Sequence, residues 1–503
     1  MAGTLERGAG ILLPISSLPS EYGIGTLGKD ARDFIDFLAA SRQKYWQVLP
    51  VGPTSYGDSP YQSFSAFMGN PYYIDLMELA YDGLLEEEEI REPVWEYRPD
   101  RAAYDILYRE RYPLLRLAAD RYWRECESGR REPLPLPEFA QRPFGKMELE
   151  DYCLYMACKT KFGGKPWWDW PEPIRRREPR ALGEYRKELA GEMKFWEFCQ
   201  IEFFRQWGQL RAYAKERGIR LIGDLPIYVA YDSTDVWASP EQFQLDADLN
   251  PTEVAGVPPD YFSETGQLWG NPLYDWDFME RENYRWWRER IRCSAELYDV
   301  LRIDHFIGMS SYYAIPFGAE DAREGRRRRG PGVRLTRAIN EAAGEAVIVA
   351  EDLGVELDSV KELLAVNGYP NMKVLEFGFD GGPENIHAPH NYQPNCLVYL
   401  GTHDNETLAG FLAGRDDWQL AYAYEYFGVH DRESLRQAMI RCAYSSVAKV
   451  AILQVQDLLG LDNSARMNEP STLGKNWQWR LLPDQLGEAE FRILEKYTTL
   501  YGR

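Results

Sequence analysis

Basic residues are scarce relative to acidic ones in this 503-residue chain. It has 58 Lys and Arg against 79 Asp and Glu, which gives a formal net charge of −21. Nucleic acids and anionic membranes attract proteins with excess positive charge, and this chain has no such excess. A neutral ligand suits such a surface better. We therefore expect neither nucleic acid nor a membrane as a partner, while the sequence leaves the oligomeric state open.

Long apolar stretches are missing too. No run of about 18 uncharged apolar residues occurs, so the sequence predicts no membrane-spanning helix. The first residues contain no basic segment leading into an apolar stretch of signal-peptide length, and Pro14 interrupts the first apolar run. These absences predict a cytoplasmic protein.

Cysteine and histidine are both few. The seven cysteines are odd in number and scattered, and they form no CxxC pair. This distribution predicts reduced core thiols and no structural zinc site. Only five histidines are present, and neither HxH nor HExxH spacing occurs. We therefore expect no metal.

Aromatic residues, by contrast, are abundant. The 16 Trp, 33 Tyr and 21 Phe make up 14% of the chain. Much of this content must form core. Aromatic rings also pack against the flat C–H faces of sugars, while the polar atoms of Tyr and Trp bind hydroxyls at the sugar edge. The composition is thus compatible with a carbohydrate ligand.

Short apolar runs followed at once by polar, Gly or Pro residues recur along the chain, as in buried parallel strands. Helical patterns alternate with them, for example over 30–41 and 195–213. This alternation favours an α/β protein with a closed (β/α)8 TIM barrel, although a doubly wound open sheet would show similar local patterns. The predicted strands are 10–14, 45–50, 220–224, 300–304, 346–350, 372–376 and 396–400, with 466–468 as a weaker eighth candidate.

The spacing between the predicted strands is uneven. We expect one elaborated barrel over 1–503, with large, mainly helical insertions between strands. One insertion covers about residues 70–200. A second, over about 229–292, is rich in Asp, Pro, Gly and aromatics, and we expect an ordered loop that covers the functional site. The arginine run Arg326–Arg329 is interpreted as a solvated loop rather than a phosphate-binding patch.

Four predicted strands end in carboxylates. They are Asp224, Asp304, Glu351 and Asp404. One acid after a strand is often only a helix cap or a turn residue. In a barrel, however, the strand ends meet at one face, and four converged carboxylates repel one another unless cations, a metal or a chemical task retains them. We expect these acids to form the functional site.

Two chemistries compete for this cluster. One is glycoside cleavage by a nucleophilic carboxylate and a protonated acid, and the other is a metal centre that includes His305 and His403. Each histidine directly follows or precedes one of the acids, Asp304 or Asp404, so it points to the other side of an extended strand end. The two rings are therefore poorly placed to share one metal. Glycoside cleavage is the favoured hypothesis.

The roles divide on physical grounds. Asp304 lies two positions after Arg302, so the guanidinium on the same strand face can keep that carboxylate ionised, as a nucleophile requires. Glu351 follows an apolar strand with no basic neighbour, and burial would raise its pKa as an acid/base requires. Asp404 remains to bind sugar hydroxyls and to favour the cationic transition state.

Several motifs make the sequence resemble the amylomaltases, or 4-α-glucanotransferases, over almost its whole length. The most specific is GVPPDYFSETGQLWGNPLYDW over 256–276, which matches the active-site loop of that family. The other matching motifs are GILLPISSLP over 10–19, SPYQSFSA over 59–66 and NWQWR over 476–480.

The resemblance implies a cofactor-free, cytoplasmic enzyme that transfers α-1,4-glucan segments between glucans or maltooligosaccharides by a retaining double displacement. It implies Asp304 as nucleophile, Glu351 as acid/base and Asp404 as transition-state stabiliser. The sugar-binding residues that it implies are Tyr61, Asp224, Trp269, Arg302, His305, His403 and Asn468. We expect Tyr261 and Phe262 in the long loop to join Trp269 in stacking on the acceptor and excluding water.

Two alternatives stay open at this point. An α-amylase-type hydrolase would use the same three acids but would release free reducing ends. A catalytically silent glucan-binding protein would bind sugar without turnover, although the presence of all three acids argues against it.

Overall fold

The computed structural model describes residues 3–259, 263–354 and 357–503. Its strands are β1 Gly8–Leu12, β2 Tyr45–Gln47, β3 Arg220–Leu225, β4 Glu253–Val257, β5 Gln267–Pro272, β6 Val300–Ile303, β7 Ser311–Pro316, β8 Arg326–Arg329, β9 Val347–Ala350, β10 Asn371–Val374, β11 Cys396–Tyr399 and β12 Val450–Gln454. Its helices are α1 Lys29–Ala40, α2 Leu76–Tyr81, α3 Glu87–Arg91, α4 Tyr104–Ile106, α5 Tyr112–Glu127, α6 Pro143–Lys161, α7 Glu172–Arg175, α8 Pro179–Glu188, α9 Ala190–Glu216, α10 Thr234–Ala238, α11 Trp276–Arg281, α12 Arg285–Leu297, α13 Ile307–Ser310, α14 Val333–Ala343, α15 Asp358–Asn367, α16 Leu408–Ala413, α17 Asp417–Phe427, α18 Arg432–Ser445, α19 Val455–Leu459 and α20 Glu488–Tyr501.

Eight parallel strands form the central sheet, in the order β10-β11-β12-β1-β2-β3-β6-β9. The two end strands approach each other, and the Ala350 N–H of β9 donates to the Pro370 carbonyl just before β10 at 3.0 Å. The sheet is therefore nearly closed, which confirms the predicted (β/α)8 barrel over the open-sheet alternative.

The apolar residues of the sequence form both the inner strands of the barrel and the buried faces of the helices around them. The strands are buried along almost their whole length, as the continuous apolar runs predicted. Outside them, α1 buries Ala31, Phe34, Ile35 and Leu38, which share one face at helical spacing. Phe34 then meets Trp46 of β2 edge-on, with ring centroids 5.0 Å apart.

The weak eighth strand prediction was wrong. Residues 466–468 form no strand, and the eighth barrel strand is β12, which pairs with both β1 and β11. The apolar run of β12 continues without a Gly or Pro break into α19, so in sequence it resembles part of a helix. Only its parallel pairing with distant strands separates the two elements.

The prediction of loops over 229–292 and 326–329 was also wrong. These segments contribute β4, β5 and β8 to a second, antiparallel sheet in the order β5-β4-β7-β8. The arginine run is an exposed edge strand whose Arg326 and Arg328 both pair with the largely buried Glu253. Interspersed Gly and Pro residues hid the strand periodicity in the sequence. This sheet is built from chain that leaves the C-terminal ends of β3 and β6.

Helices α2 to α9 all lie in the long connection between β2 and β3, where the sequence predicted helical patterns. Whether this connection is a separate subdomain stays a prediction. All seven cysteines are unpaired thiols, and only Cys126 and Cys442 are partly exposed. Within the described ranges, no helix has both the length and the apolar character needed to cross a bilayer.

Because β1 and β2 approach each other closely, a methyl group added to β1 at Gly10 should strongly lower the stability of the protein. A Cβ added to Gly10 would lie 2.3 Å from the Tyr45 carbonyl oxygen, which is backbone and cannot move aside. We expect Gly10→Ala to lower the free energy of unfolding by about 2–3 kcal/mol through overpacking. Gly183→Ala in α8 is the matched control, because its Cβ would meet nothing within 4 Å. That change should instead raise stability by about 0.5–1 kcal/mol. Equal effects in denaturant unfolding would contradict this account.

Candidate active site

A single buried guanidinium holds two of the acids that the barrel strands deliver. Arg302 Nη1 lies 2.6 Å from both carboxylate oxygens of Asp224 and 2.9 Å from Asp304 Oδ1. The Tyr61 hydroxyl donates to Asp224 Oδ2 at 2.8 Å. Arg302 and Asp224 are almost fully buried, whereas Asp304 keeps 25% side-chain exposure. Asp304 is therefore the member of this group that a ligand can reach.

Glu351 is held by two backbone amides, one after the neighbouring strand β6 and one after its own strand β9. The His305 N–H donates to its Oε2 at 2.7 Å, and the Leu353 N–H donates to its Oε1 at 2.6 Å. His305 has a φ of 49°, a left-handed conformation that is uncommon outside glycine. Such an outlier next to a converging acid cluster is typical of functional sites, where the surrounding structure maintains the strain.

The surroundings of Asp304 and Glu351 give the two carboxyl groups different pKa values. Burial raises the pKa of Asp304 to about 6, with the negative charges of Asp224 and Asp404 adding to the rise and Arg302 opposing it. Burial also raises the pKa of Glu351, to about 8, and Arg302 and the two amides only partly offset this. The sequence had suggested that Arg302 would set the pKa of Asp304, but burial has the larger effect on that pKa. At neutral pH, Asp304 is mostly ionised and Glu351 mostly protonated.

Asp404 follows β11 and is fixed from two sides. Asn468 Nδ2 donates to its Oδ1 at 2.6 Å, and His403 Nε2 lies 3.3 Å from its Oδ2. Arg466 binds the backbone here by donating to the Asp404 and Asn468 carbonyls, each at 2.7 Å. The Asp404 side chain is 44% exposed, so its carboxylate is oriented yet open to a ligand.

Stacked rings connect the Asp404 group with the Arg302 group. The Tyr61 and His403 rings lie 5.2 Å apart and nearly parallel, at 14°. Trp477 packs against both, with centroids 5.7 Å from Tyr61 and 6.0 Å from His403. The buried Nδ1 of His403 has no protein partner among the described residues. This layer forms one wall of the site.

His305 and Trp269 contact each other on the side of the second sheet. Their ring centroids are 4.8 Å apart at an interplanar angle of 83°. Burial lowers the pKa of His305 to about 4, and the nearby Arg327 guanidinium adds to the effect. The imidazole is therefore neutral at physiological pH, and it can exchange hydrogen bonds without carrying charge.

These contacts join the predicted site residues into one network at the C-terminal face of the barrel. Tyr261 and Phe262, which were expected to stack on a ligand, lie outside the described residues. The joined residues are Tyr61, Asp224, Trp269, Arg302, Asp304, His305, Glu351, His403, Asp404 and Asn468.

Sequence reasoning missed three residues of this region. Trp477 lies in a motif that had been quoted but not assigned, and Arg466 lies in the segment mistaken for a strand. Glu376, at the end of β10, is buried at 2% exposure beside the Gly401 backbone, and burial holds its pKa well above the usual range. The acid at that strand end was visible in the sequence and could have been included.

Among the described residues, no three or more His, Cys, Asp or Glu side chains are grouped so that they could hold a metal ion. His305 and His403 contact different aromatic partners, Trp269 and Tyr61.

Comparison with known protein families gives one match over most of the chain. Residues 13–485 match the family model described as 4-alpha-glucanotransferase. A 4-alpha-glucanotransferase of Thermus thermophilus is 47% identical over 489 residues, covering 96% of each chain. That of Streptococcus pneumoniae serotype 4 is 45% identical over 500 residues, covering 99% of this chain and 98% of its own. The chloroplastic/amyloplastic enzyme of Arabidopsis thaliana is 41% identical and also matches 99% of this chain, with 86% of its own length covered.

Solved structures give the same picture. The amylomaltase from Streptococcus agalactiae in complex with acarbose superposes with a TM-score of 0.94 at 40% identity, covering 99% of this chain and 100% of that one. The amylomaltase from Corynebacterium glutamicum, at 19% identity, has a TM-score of 0.77 and covers 98% of this chain and 75% of that one. The latter similarity supports the fold alone.

The shared guanidinium predicts energetic coupling between Arg302 and Asp224. We expect Arg302→Met to lower the free energy of unfolding by about 3–5 kcal/mol, because it leaves buried carboxylates without their cation. Adding Asp224→Asn should then cost less than it does in the wild type, with a coupling energy of about 1 kcal/mol or more in a double-mutant cycle. The control cycle uses Arg180 and Glu184, an exposed pair on α8 that should show no measurable coupling. Additive effects at Arg302 and Asp224 would refute the shared-cation account.

Proposed function

The chain belongs to the 4-alpha-glucanotransferase family, and we propose that Asp304 is its nucleophile and Glu351 its acid/base. It is a transferase that moves α-1,4-glucan segments from a donor to an acceptor. The observation that carries the assignment of roles is that Arg302 contacts Asp304 at 2.9 Å, whereas Glu351 is held by two backbone amides. Burial raises the pKa of both acids, to about 6 at Asp304 and about 8 at Glu351. Between these values one acid is ionised and the other holds a proton, which is the pairing that a retaining displacement needs.

The first half of the reaction breaks the donor glycosidic bond. The Asp304 carboxylate attacks the anomeric carbon while Glu351 gives its proton to the leaving oxygen, so a covalent glucosyl ester forms and the leaving glucan departs neutral. In the second half, the ionised Glu351 takes the proton of an acceptor 4-hydroxyl. That oxygen attacks the anomeric carbon and Asp304 leaves as a carboxylate. Two inversions give net retention.

The remaining residues position the sugar. Asp404 is oriented by Asn468 and His403, and its open carboxylate suits the hydroxyls of a distorted, cationic ring. The family resemblance implies donor-side sugar contacts by Asp224, Arg302, His305 and His403, and Tyr61 lines the cleft. Because Asp224, Arg302 and His403 are almost fully buried, in this proposal they act mainly by orienting the more exposed Asp304 and Asp404. Trp269 stacks on the acceptor and keeps water away from the ester, which favours transfer over hydrolysis.

The substrates in this proposal are α-1,4-glucans and maltooligosaccharides, and nucleic acid is not among the partners. The net charge of −21 supports a neutral ligand. A cytoplasmic location is part of the same proposal. The competing hypothesis is an α-amylase-type hydrolase with the same acids.

Incubation with maltotriose alone distinguishes transfer from hydrolysis. We expect free glucose together with a ladder of longer maltooligosaccharides, while the total number of reducing ends stays constant. Chromatography measures the products, and a reducing-sugar assay measures the reducing ends. Asp304→Asn should abolish both products while glucan binding is preserved. Rising reducing ends without longer products would instead support the hydrolase, and unchanged activity of Asp304→Asn would remove Asp304 as the nucleophile.

The two pKa values predict a bell-shaped pH dependence. We expect kcat/KM for maltotriose to fall below about pH 6, where Asp304 becomes protonated, and above about pH 8, where Glu351 loses its proton. Glu351→Gln should be nearly inactive on maltotriose. With α-maltosyl fluoride as donor and azide as acceptor, neither leaving-group protonation nor a base is needed, so this variant should regain activity and keep only the acidic limb. An alkaline limb that persists in Glu351→Gln would exclude Glu351 as its source.

A further inference from the structure

Helix α17 carries a row of aromatic residues on its outer face. Trp418, Tyr422 and Tyr426 are spaced four residues apart, which places them on one side of the helix, and we call them the rim aromatic stripe. The buried residues of the helix, Leu420 and Ala423, lie on the opposite side. The helix therefore docks on the protein through one face and presents aromatic rings on the other.

The exposure of this stripe is unusual for its composition. Trp418 is 75% exposed and is the one tryptophan among the exposed large apolar side chains of the described residues. Tyr422 and Tyr426 are half-buried. Folding gains little from a tryptophan left in water, and Trp418 does not stand alone, because the partly exposed rings of Tyr422 and Tyr426 continue the row.

Neighbouring groups hold the inner rings of the stripe in place. Phe379 lies 5.3 Å from the Tyr426 ring and 6.3 Å from the Tyr422 ring. The His390 Nδ1 is 3.1 Å from the Tyr426 hydroxyl oxygen. At the other end, the Trp418 indole N–H donates to Asp416 Oδ2 at 3.2 Å. The rings are thus supported before any ligand arrives, which lowers the entropic cost of binding.

The stripe belongs to the same rim of the barrel as the catalytic cleft. Phe379 follows the C-terminal end of β10, and α17 follows the segment that leaves the C-terminal end of β11 with Asp404. Arg415, in the turn before α17, pairs with Glu406 at 3.5 Å. Glu406 is only two residues from Asp404. The stripe and the acid cluster therefore both lie on chain that leaves the C-terminal ends of the neighbouring strands β10 and β11.

The chemistry of the stripe selects a neutral, polyhydroxylated ligand. Its rings suit the C–H faces of sugars, and the tyrosine hydroxyls suit their edges. Asp416 and Glu425 lie on the same short segment and disfavour anionic ligands, while Asp417 is paired with Arg432 at 2.9 Å. We propose that the rim aromatic stripe is a second binding site for long α-1,4-glucan chains, outside the catalytic cleft. This inference rests on the proposed function in that the polymer is the substrate of the enzyme.

The test compares a long glucan with a short one. The Trp418→Ala/Tyr422→Ala double variant removes two rings, and Tyr81→Ala removes an aromatic that is 74% exposed on α2 as a matched control. All are made both in the active enzyme and with Asp304→Asn, so that the polymer is not consumed in binding assays. We expect affinity electrophoresis in amylose gels to show about fivefold weaker retention of the double variant. Its kcat/KM for amylose should fall similarly, while kcat/KM for maltotriose stays unchanged.

Failure of the second binding site and failure of the proposed function would give different results. Unchanged amylose affinity in the double variant, or an equal loss in Tyr81→Ala, would overturn the second site. If sedimentation velocity showed a wild-type dimer that the double variant dissociates without losing amylose affinity, a second copy of the chain would cover the stripe and the proposal would again fail. A wild-type enzyme that makes no longer products from maltotriose would contradict the proposed function, while the amylose-gel result would still report on the stripe.

Discussion

The site depends on one buried cation. Arg302 Nη1 lies within 2.9 Å of carboxylate oxygens from two barrel strand ends, those of Asp224 and Asp304. Without it, the barrel would bury negative charges at one face with no compensation, at a cost of several kcal/mol. With it, Asp224 is fixed and Asp304 is held in place while staying partly open. The catalytic face can therefore collect acids without destabilising the barrel.

From this arrangement the difference between Asp304 and Glu351, the two acids proposed as catalytic, follows. Both are raised in pKa by burial, but only Asp304 touches the guanidinium directly. Glu351 is held by the amides of His305 and Leu353, which orient the carboxyl and only partly offset burial. The left-handed backbone at His305 is the local strain associated with this geometry. One barrel face thus provides an ionised carboxylate and a protonated carboxyl group at the same pH.

The walls around the acids come from chain that leaves the same strand ends. The second sheet brings Trp269 to His305 on one side, and Tyr61, His403 and Trp477 stack on another. Aromatic residues dominate these walls and the outer face of α17 alike. A glucan is long and uncharged, so recognition by rings and hydroxyls along a rim suits it better than recognition by charge.

The sequence by itself determined the strand ends and the acids on them, because an apolar run followed by Asp or Glu is a local pattern. The family resemblance also predicted Trp269 and Asn468 as site residues. The sequence did not identify β12, whose apolar run continues into a helix. Nor did it identify the second sheet, in which the β4–β5 and β7–β8 hairpins are joined by the long-range pairing of β4 with β7. The sharing of Arg302 between Asp224 and Asp304, the stacking of Trp477 and the burial that sets both pKa values were likewise decided only by tertiary structure. These are properties of distance and solvent exclusion, and neither is fixed until the strands close into a barrel.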